Sequence, residues 1–134
     1  MKSYREYRDL IPDFRVSYRF LNPSEGGRSA PPWQHTRWDY LYVGADLQEL
    51  SMIWPEFIDS TGVMLPEGEV PMSGLADMFI INWERRDFHL SRMAVGTKGY
   101  FMEGPHVVAE CETIEILGLP INPRKGGPGA IDLS

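Results

Sequence analysis

The stretch Phe14-Arg15-Val16-Ser17-Tyr18-Arg19-Phe20 alternates apolar and polar residues at every step. Period-two alternation matches a strand, whose successive side chains point to opposite faces, and not a helix of period 3.6. It commits the chain to a sheet with one face buried and the other wet. Asn22-Pro23 and the glycine pair Gly26-Gly27 end this strand. Two adjacent glycines permit positive φ angles that other residues resist. A second strand follows, in which Trp38, Tyr40 and Tyr42 alternate with Asp39, Leu41 and Val43. Between the two, residues 29–35 read as a loop, because Pro31-Pro32 lack ladder donors.

Short strands and turns continue along the chain. Thr61-Gly62, Pro66-Glu67-Gly68 and Ser73-Gly74 are turn signals. Within 77–88, Met78-Phe79-Ile80-Ile81 followed by Asn82 and Trp83 reads as a strand buried on both faces. Gly96 and Gly99 bound a hairpin, and residues 100–102 and 107–117 complete the pattern. In the last strand Val107, Ala109 and Cys111 fall on odd positions, whereas Ile114 and Ile116 fall on even ones. Such a phase change predicts a bulge near Glu112-Thr113. The segment 46–60 is harder to place. Its start suits a helical turn, Pro55 argues against a long helix, and Met52–Phe57 is expected to cap the barrel or to form a partner patch. Residues 1–12 are read as an N-terminal arm and 119–134, rich in Pro and Gly, as a flexible tail. The remaining 13–118 form one domain, expected to be all-β: a small closed antiparallel β-barrel.

Charge and cysteine content bound the function classes. The 134 residues include 13 Lys and Arg against 19 Asp and Glu, a net charge of −6. That balance argues against general phosphate-driven nucleic-acid binding. It leaves room for a local patch, since Arg5, Arg8, Arg15, Arg19, Arg28 and Arg37 all lie in the first third. A lone cysteine, Cys111, precludes an internal disulfide and fits a reducing, cytoplasmic setting. Its position predicts a buried, inert thiol. No apolar run reaches the length of a membrane span, and no membrane role is expected.

The order of these features resembles the C-terminal, third β-barrel domain of elongation factor Tu. Glu25-Gly26-Gly27-Arg28 matches that family's loop after its first strand, and Arg37 its second arginine. Tyr40 and Tyr42 stand at its aromatic strand positions. Thr61-Gly62, Leu65-Pro66-Glu67-Gly68, the Asp77–Ile81 stretch, Arg92-Met93-Ala94-Val95 and Val107-Val108 resemble later motifs. The chain departs from the pattern in the longer 46–60 segment, in Ser73-Gly74-Leu75-Ala76 and in Gly104-Pro105. The resemblance implies a stand-alone bacterial barrel. No phosphate-binding G-x-x-x-x-G-K-[ST] loop occurs, so nucleotide hydrolysis is not implied. In that family the barrel contacts the T stem of aminoacyl-tRNA, and the loop arginine there has its counterpart in Arg28.

The candidate binding residues are Glu25, Gly26, Gly27, Arg28, Trp33, Arg37 and Trp38. Arg and Trp are enriched at binding hot spots, and Arg grips phosphate through a planar fork. The structural reading of the same residues is that Arg28 fixes its loop and the tryptophans cover the barrel end. No catalytic or metal site is assigned. His35, His89 and His106 lack zinc-ligand spacing, Glu110 and Glu112 suit an exposed strand face, and no nucleophile elbow is present. No cofactor is expected. Three functional readings stand: a non-catalytic module binding a protein, of immunity or regulator type; an RNA- or tRNA-binding protein; and a small hydrolase.

Overall fold

The computed structural model describes residues 11–122. The expected N-terminal arm up to residue 10 and the tail from 123 onward lie outside the described residues. Phe14–Phe20 forms strand β1, with Phe14, Val16, Tyr18 and Phe20 buried and the intervening residues on the other face. Asp39–Tyr42 forms β2, Ile53–Ile58 β3, Ser73–Ile80 β4, Lys98–Glu103 β5 and His106–Ile116 β6. One α-helix, α1 (Arg86–Arg92), is present among the described residues, preceded by a 3-10 turn at Trp83–Arg85.

All six strands join one curled antiparallel sheet in the order β2-β5-β6-β1-β4-β3. β1 is central: Phe14 pairs with Met78 of β4 on one side and with Ile116 of β6 on the other. β2 also bridges to the residues just before β3 at one pair, Tyr40 and Ser51, whose N–H groups each donate to the other's carbonyl at 2.9 Å. The expected all-β antiparallel architecture is therefore present, with an isolated bridge from β2 to the chain that leads into β3.

The concave side holds an aromatic core. Tyr18 meets Phe57 edge-on with ring centroids 5.0 Å apart, and Phe20 lies 5.0 Å from Trp38. Phe101 packs 5.9 Å from Phe20. Such ring pairs add about 0.5–1.5 kcal/mol each beyond area burial. Met78, Phe79 and Ile80 are all buried, as expected for a strand covered on both faces. Cys111 is buried as expected, and burial pushes its thiol up from the ordinary range.

Two expectations are corrected. Met52–Phe57 is not a cap: Ile53–Ile58 is β3, an outer strand laddered to β4 from Ile53–Ile80 to Ile58–Leu75. Pro55 is tolerated there because an outer strand leaves one side without ladder bonds. The expected strand run from 77 into 88 stops at Ile80, and the chain turns into α1. That helix is held by a buried ion pair: Arg86 donates to both carboxylate oxygens of Asp13, and both side chains are fully buried. Asp13 also accepts from the Ile80 N–H at 2.7 Å and from Asn122 Nδ2 at 2.9 Å. Leu119 and Asn122 are buried, so packed structure continues past the boundary expected at 118.

Antiparallel pairing sorts the connections between two ends of the sheet. Residues 21–38, 59–72 and the 104–105 turn gather at one end. Residues 43–52 and 81–97, with α1, gather at the other.

Candidate functional site

All seven sequence-predicted residues lie in the 21–38 connection, at the end shared with 59–72 and the 104–105 turn. The glycine corner has a local explanation. Asn22 Oδ1 accepts from the Glu25 N–H at 3.1 Å, and Glu25 Oε1 accepts from the Asn22 N–H at 3.0 Å, which closes a capping box. Gly26 follows with φ 88°, in the left-handed region. A Cβ on Gly27 would run into the Leu21 carbonyl. Glu25 also receives Arg19 at 2.9 Å. That bond and the Asn22 N–H hold its carboxyl below the usual range.

Arg28 and Trp38 are brought together by a residue the sequence did not mark. Arg28 Nε lies 2.9 Å from Glu103 Oε2, and Trp38 Nε1 donates to the same oxygen at 3.1 Å. The Arg28 guanidinium sits 5.4 Å from the centroid of the buried Trp38 ring. Glu103 ends β5, and only the strand order reveals that this hairpin reaches the 21–38 connection.

Arg37 stands apart from Arg28. Its guanidinium lies 4.8 Å over Trp54, whose Nε1 donates to Asp39 Oδ1 at 3.2 Å across the β2–β3 seam. Arg37 is exposed and makes no ion pair among the described residues. Trp33 is 50% exposed and forms a bridge with Glu69. Around it the Gln34 N–H donates to the Gly68 carbonyl at 2.9 Å and the Val70 N–H to the Pro32 carbonyl at 3.0 Å. The 21–38 and 59–72 connections are thus laced into one body, and Arg28–Glu103 ties that body to the β5–β6 hairpin.

Sequence reasoning also missed His35. Its backbone φ is 64°, the only positive value at a non-glycine among the described residues. Left-handed geometry at such a residue is sparsely populated and marks a site held by its surroundings. Nδ1 lies 2.6 Å from Glu67 Oε1, and Nε2 lies 3.1 Å from the fully buried Glu56. The His35 hydrogen bond holds the Glu67 carboxyl below its usual range. With both ring nitrogens engaged, this group fastens β3 to the 59–72 connection. It does not present a free base.

Glu110 and Glu112 line a groove of about 380 Å³ on the outer face of β1, β5 and β6, with Arg19 and Lys98. Glu110 is paired with Arg19 at 2.9 Å, in keeping with an ordinary strand face.

The fold and this end define an all-β, single-sheet protein with a laced loop surface that carries aromatic and arginine side chains. No protein-family model and no curated protein matches the chain. Among the described residues, no helix is long and apolar enough to cross a membrane.

Proposed function

We propose that this protein is a non-catalytic binding module that engages a protein partner through its loop end. The observation that carries the reading is the presentation of Trp33 and of Arg37 on Trp54 by connections that are already tied together. A preorganised aromatic and arginine surface loses little entropy on binding, which is how hot spots gain affinity. Charge favours protein over RNA. Arg28 is neutralised by Glu103, and Glu25, Glu67 and Glu69 surround the same end. A regulator-like or immunity-like role for a bacterial cytoplasmic protein is consistent with that acidic surface.

We further infer kinship with the third domain of elongation factor Tu, with the sheet closing as a barrel. Support comes from the order of parts: Glu25-Gly26-Gly27-Arg28 falls between β1 and β2, and Tyr40 and Tyr42 lie in β2. Slow amide exchange at the facing residues of β2 and β3 is expected of a closed barrel, and fast exchange on both strands would count against it.

The test is affinity capture from the native cell with wild type, Arg37→Ala/Trp33→Ala and Arg28→Ala. The double variant is expected to lose the specific partner while its circular dichroism stays unchanged. Identical partner lists would refute the site. Binding that collapses steeply with added salt would point to RNA instead.

A further inference from the structure

The opposite end of the sheet holds a cleft that the loop-end reading does not use. It measures about 120 Å³, and Ser51, Asn82, Arg85 and His89 are among the residues that line it. His89 projects from α1 and is only 1% exposed. Its Nδ1 lies 2.7 Å from the Tyr42 hydroxyl, and the two rings stack with centroids 5.8 Å apart. Tyr42 is itself buried, and His89 is its hydroxyl's sole hydrogen-bond partner among the described residues. We assign the O–H proton to Nδ1, which gives the buried hydroxyl a partner for its hydrogen, and a neutral ring of that tautomer carries its own proton on Nε2.

The neutral form is enforced by the surroundings. Burial, with Arg85, Arg86 and Arg92 nearby, pushes the His89 imidazolium down to about 4. Nε2 makes no hydrogen bond among the described residues, and His89 lines the cleft. Arg86 is neutralised by Asp13, and Arg92 pairs with Glu49 at 3.2 Å. Arg85 makes no ion pair among the described residues; its guanidinium rests 4.3 Å from the Phe88 ring centroid. No carboxylate lines the cleft. Arg85, the Asn82 amide and the His89 imidazole are its side-chain donors, while the Ser51 hydroxyl donates to the Glu49 carbonyl at 3.3 Å.

We propose that this cleft binds a small oxyanion, a carboxylate or inorganic phosphate, with Arg85 supplying charge and His89 Nε2–H and Asn82 supplying directional hydrogen bonds. A charged acceptor suits this set, because hydrogen bonds to an anion are roughly twice as strong as neutral ones. The volume restricts the ligand to a few heavy atoms or to the acidic tip of a larger one.

The experiment follows the His89 ring nitrogens of the full chain by NMR near neutral pH. Sodium acetate and sodium phosphate are titrated separately at constant ionic strength set with chloride. A saturable shift of Nε2 is expected in at least one arm, and the responding arm identifies the anion. Arg85→Met and Asn82→Ala, both at exposed positions, are expected to weaken that binding by about tenfold each. Leu90→Ala, on the same helix but outside the cleft, is expected to leave it unchanged. Linear, non-saturating shifts in both arms would overturn the proposal, as would saturation that ignores Arg85→Met. Loss of the loop-end partner has no bearing on this result.

Discussion

Gln34 serves both backbone groups of Phe57: its Oε1 accepts from the Phe57 N–H at 2.9 Å, and its Nε2 donates to the Phe57 carbonyl at 2.9 Å. Nε2 also donates to the Leu65 carbonyl at 2.9 Å. A side-chain amide thus stands in for a missing neighbour strand along the outer edge of β3. Gln34 is 2% exposed, so its removal leaves a buried N–H without a partner. Gln34→Ala is expected to lower the unfolding free energy by about 2–3 kcal/mol. Urea denaturation measures it, and an unchanged midpoint with an unchanged slope would refute this role.

The glycine pair separates two causes. Gly26→Ala places a side chain at positive φ, at a cost of about 1 kcal/mol; nothing lies within 4 Å of the new Cβ. Gly27→Ala drives its Cβ into the Leu21 carbonyl, so the backbone has to move. Gly27→Ala is expected to cost more, about 2–3 kcal/mol. Equal losses in thermal unfolding would show that the close approach does not matter.

Arg86 and Asp13 form a pair that is costly to break. Arg86→Met leaves a buried carboxylate with fewer donors, and a loss of about 3–5 kcal/mol is expected. The double variant Arg86→Met/Asp13→Leu removes both charges and is expected to recover part of that loss. A double variant no better than Arg86→Met would argue that the carboxylate's bonds to Ile80 and Asn122 dominate.

Stability should fall on mild acidification because of His89. Its folded value is about 4, against 6.5 for a free imidazole. Between these values the unfolded chain binds a proton that the folded chain refuses, so acid favours unfolding. The stabilisation is complete above about pH 6.5 and is lost as pH falls toward about 4. From about pH 7 to about pH 5 the expected loss is about 2 kcal/mol, before most carboxylates titrate. His89→Gln should flatten this slope. An equal slope in wild type and variant would assign the effect to other groups.

Elements whose pattern is local were legible in the sequence. β1 followed from its alternation, and β2 from its spaced aromatics. The bulge expected near Glu112-Thr113 occurs one step on: Val16 pairs with Thr113 and Arg15 with Glu115, which leaves Ile114 as the extra residue. What depended on distant partners was not legible. α1 carries no side-chain cap at its start, and neither Asn82 nor Arg85 makes a capping bond. The buried contact with Asp13 fixes it instead. β3 was hidden by Pro55, which is compatible with a strand only at a sheet margin. At the loop end, Arg28 and Trp38 meet on Glu103 while Arg37 stands over Trp54, and Glu103, Gln34 and His35 acquire meaning only from neighbours far along the chain.

The central place of β1 also fixes an order of assembly. Its two neighbours are made at very different times: β4 emerges midway through synthesis, and β6 is the last strand described. Phe14 has to wait roughly a hundred residues for Ile116, a separation that slows folding. Until then one flank of the central strand is bare. A nascent chain halted before β6 would expose that flank to aggregation, and the β5–β6 hairpin is the step that ends the hazard.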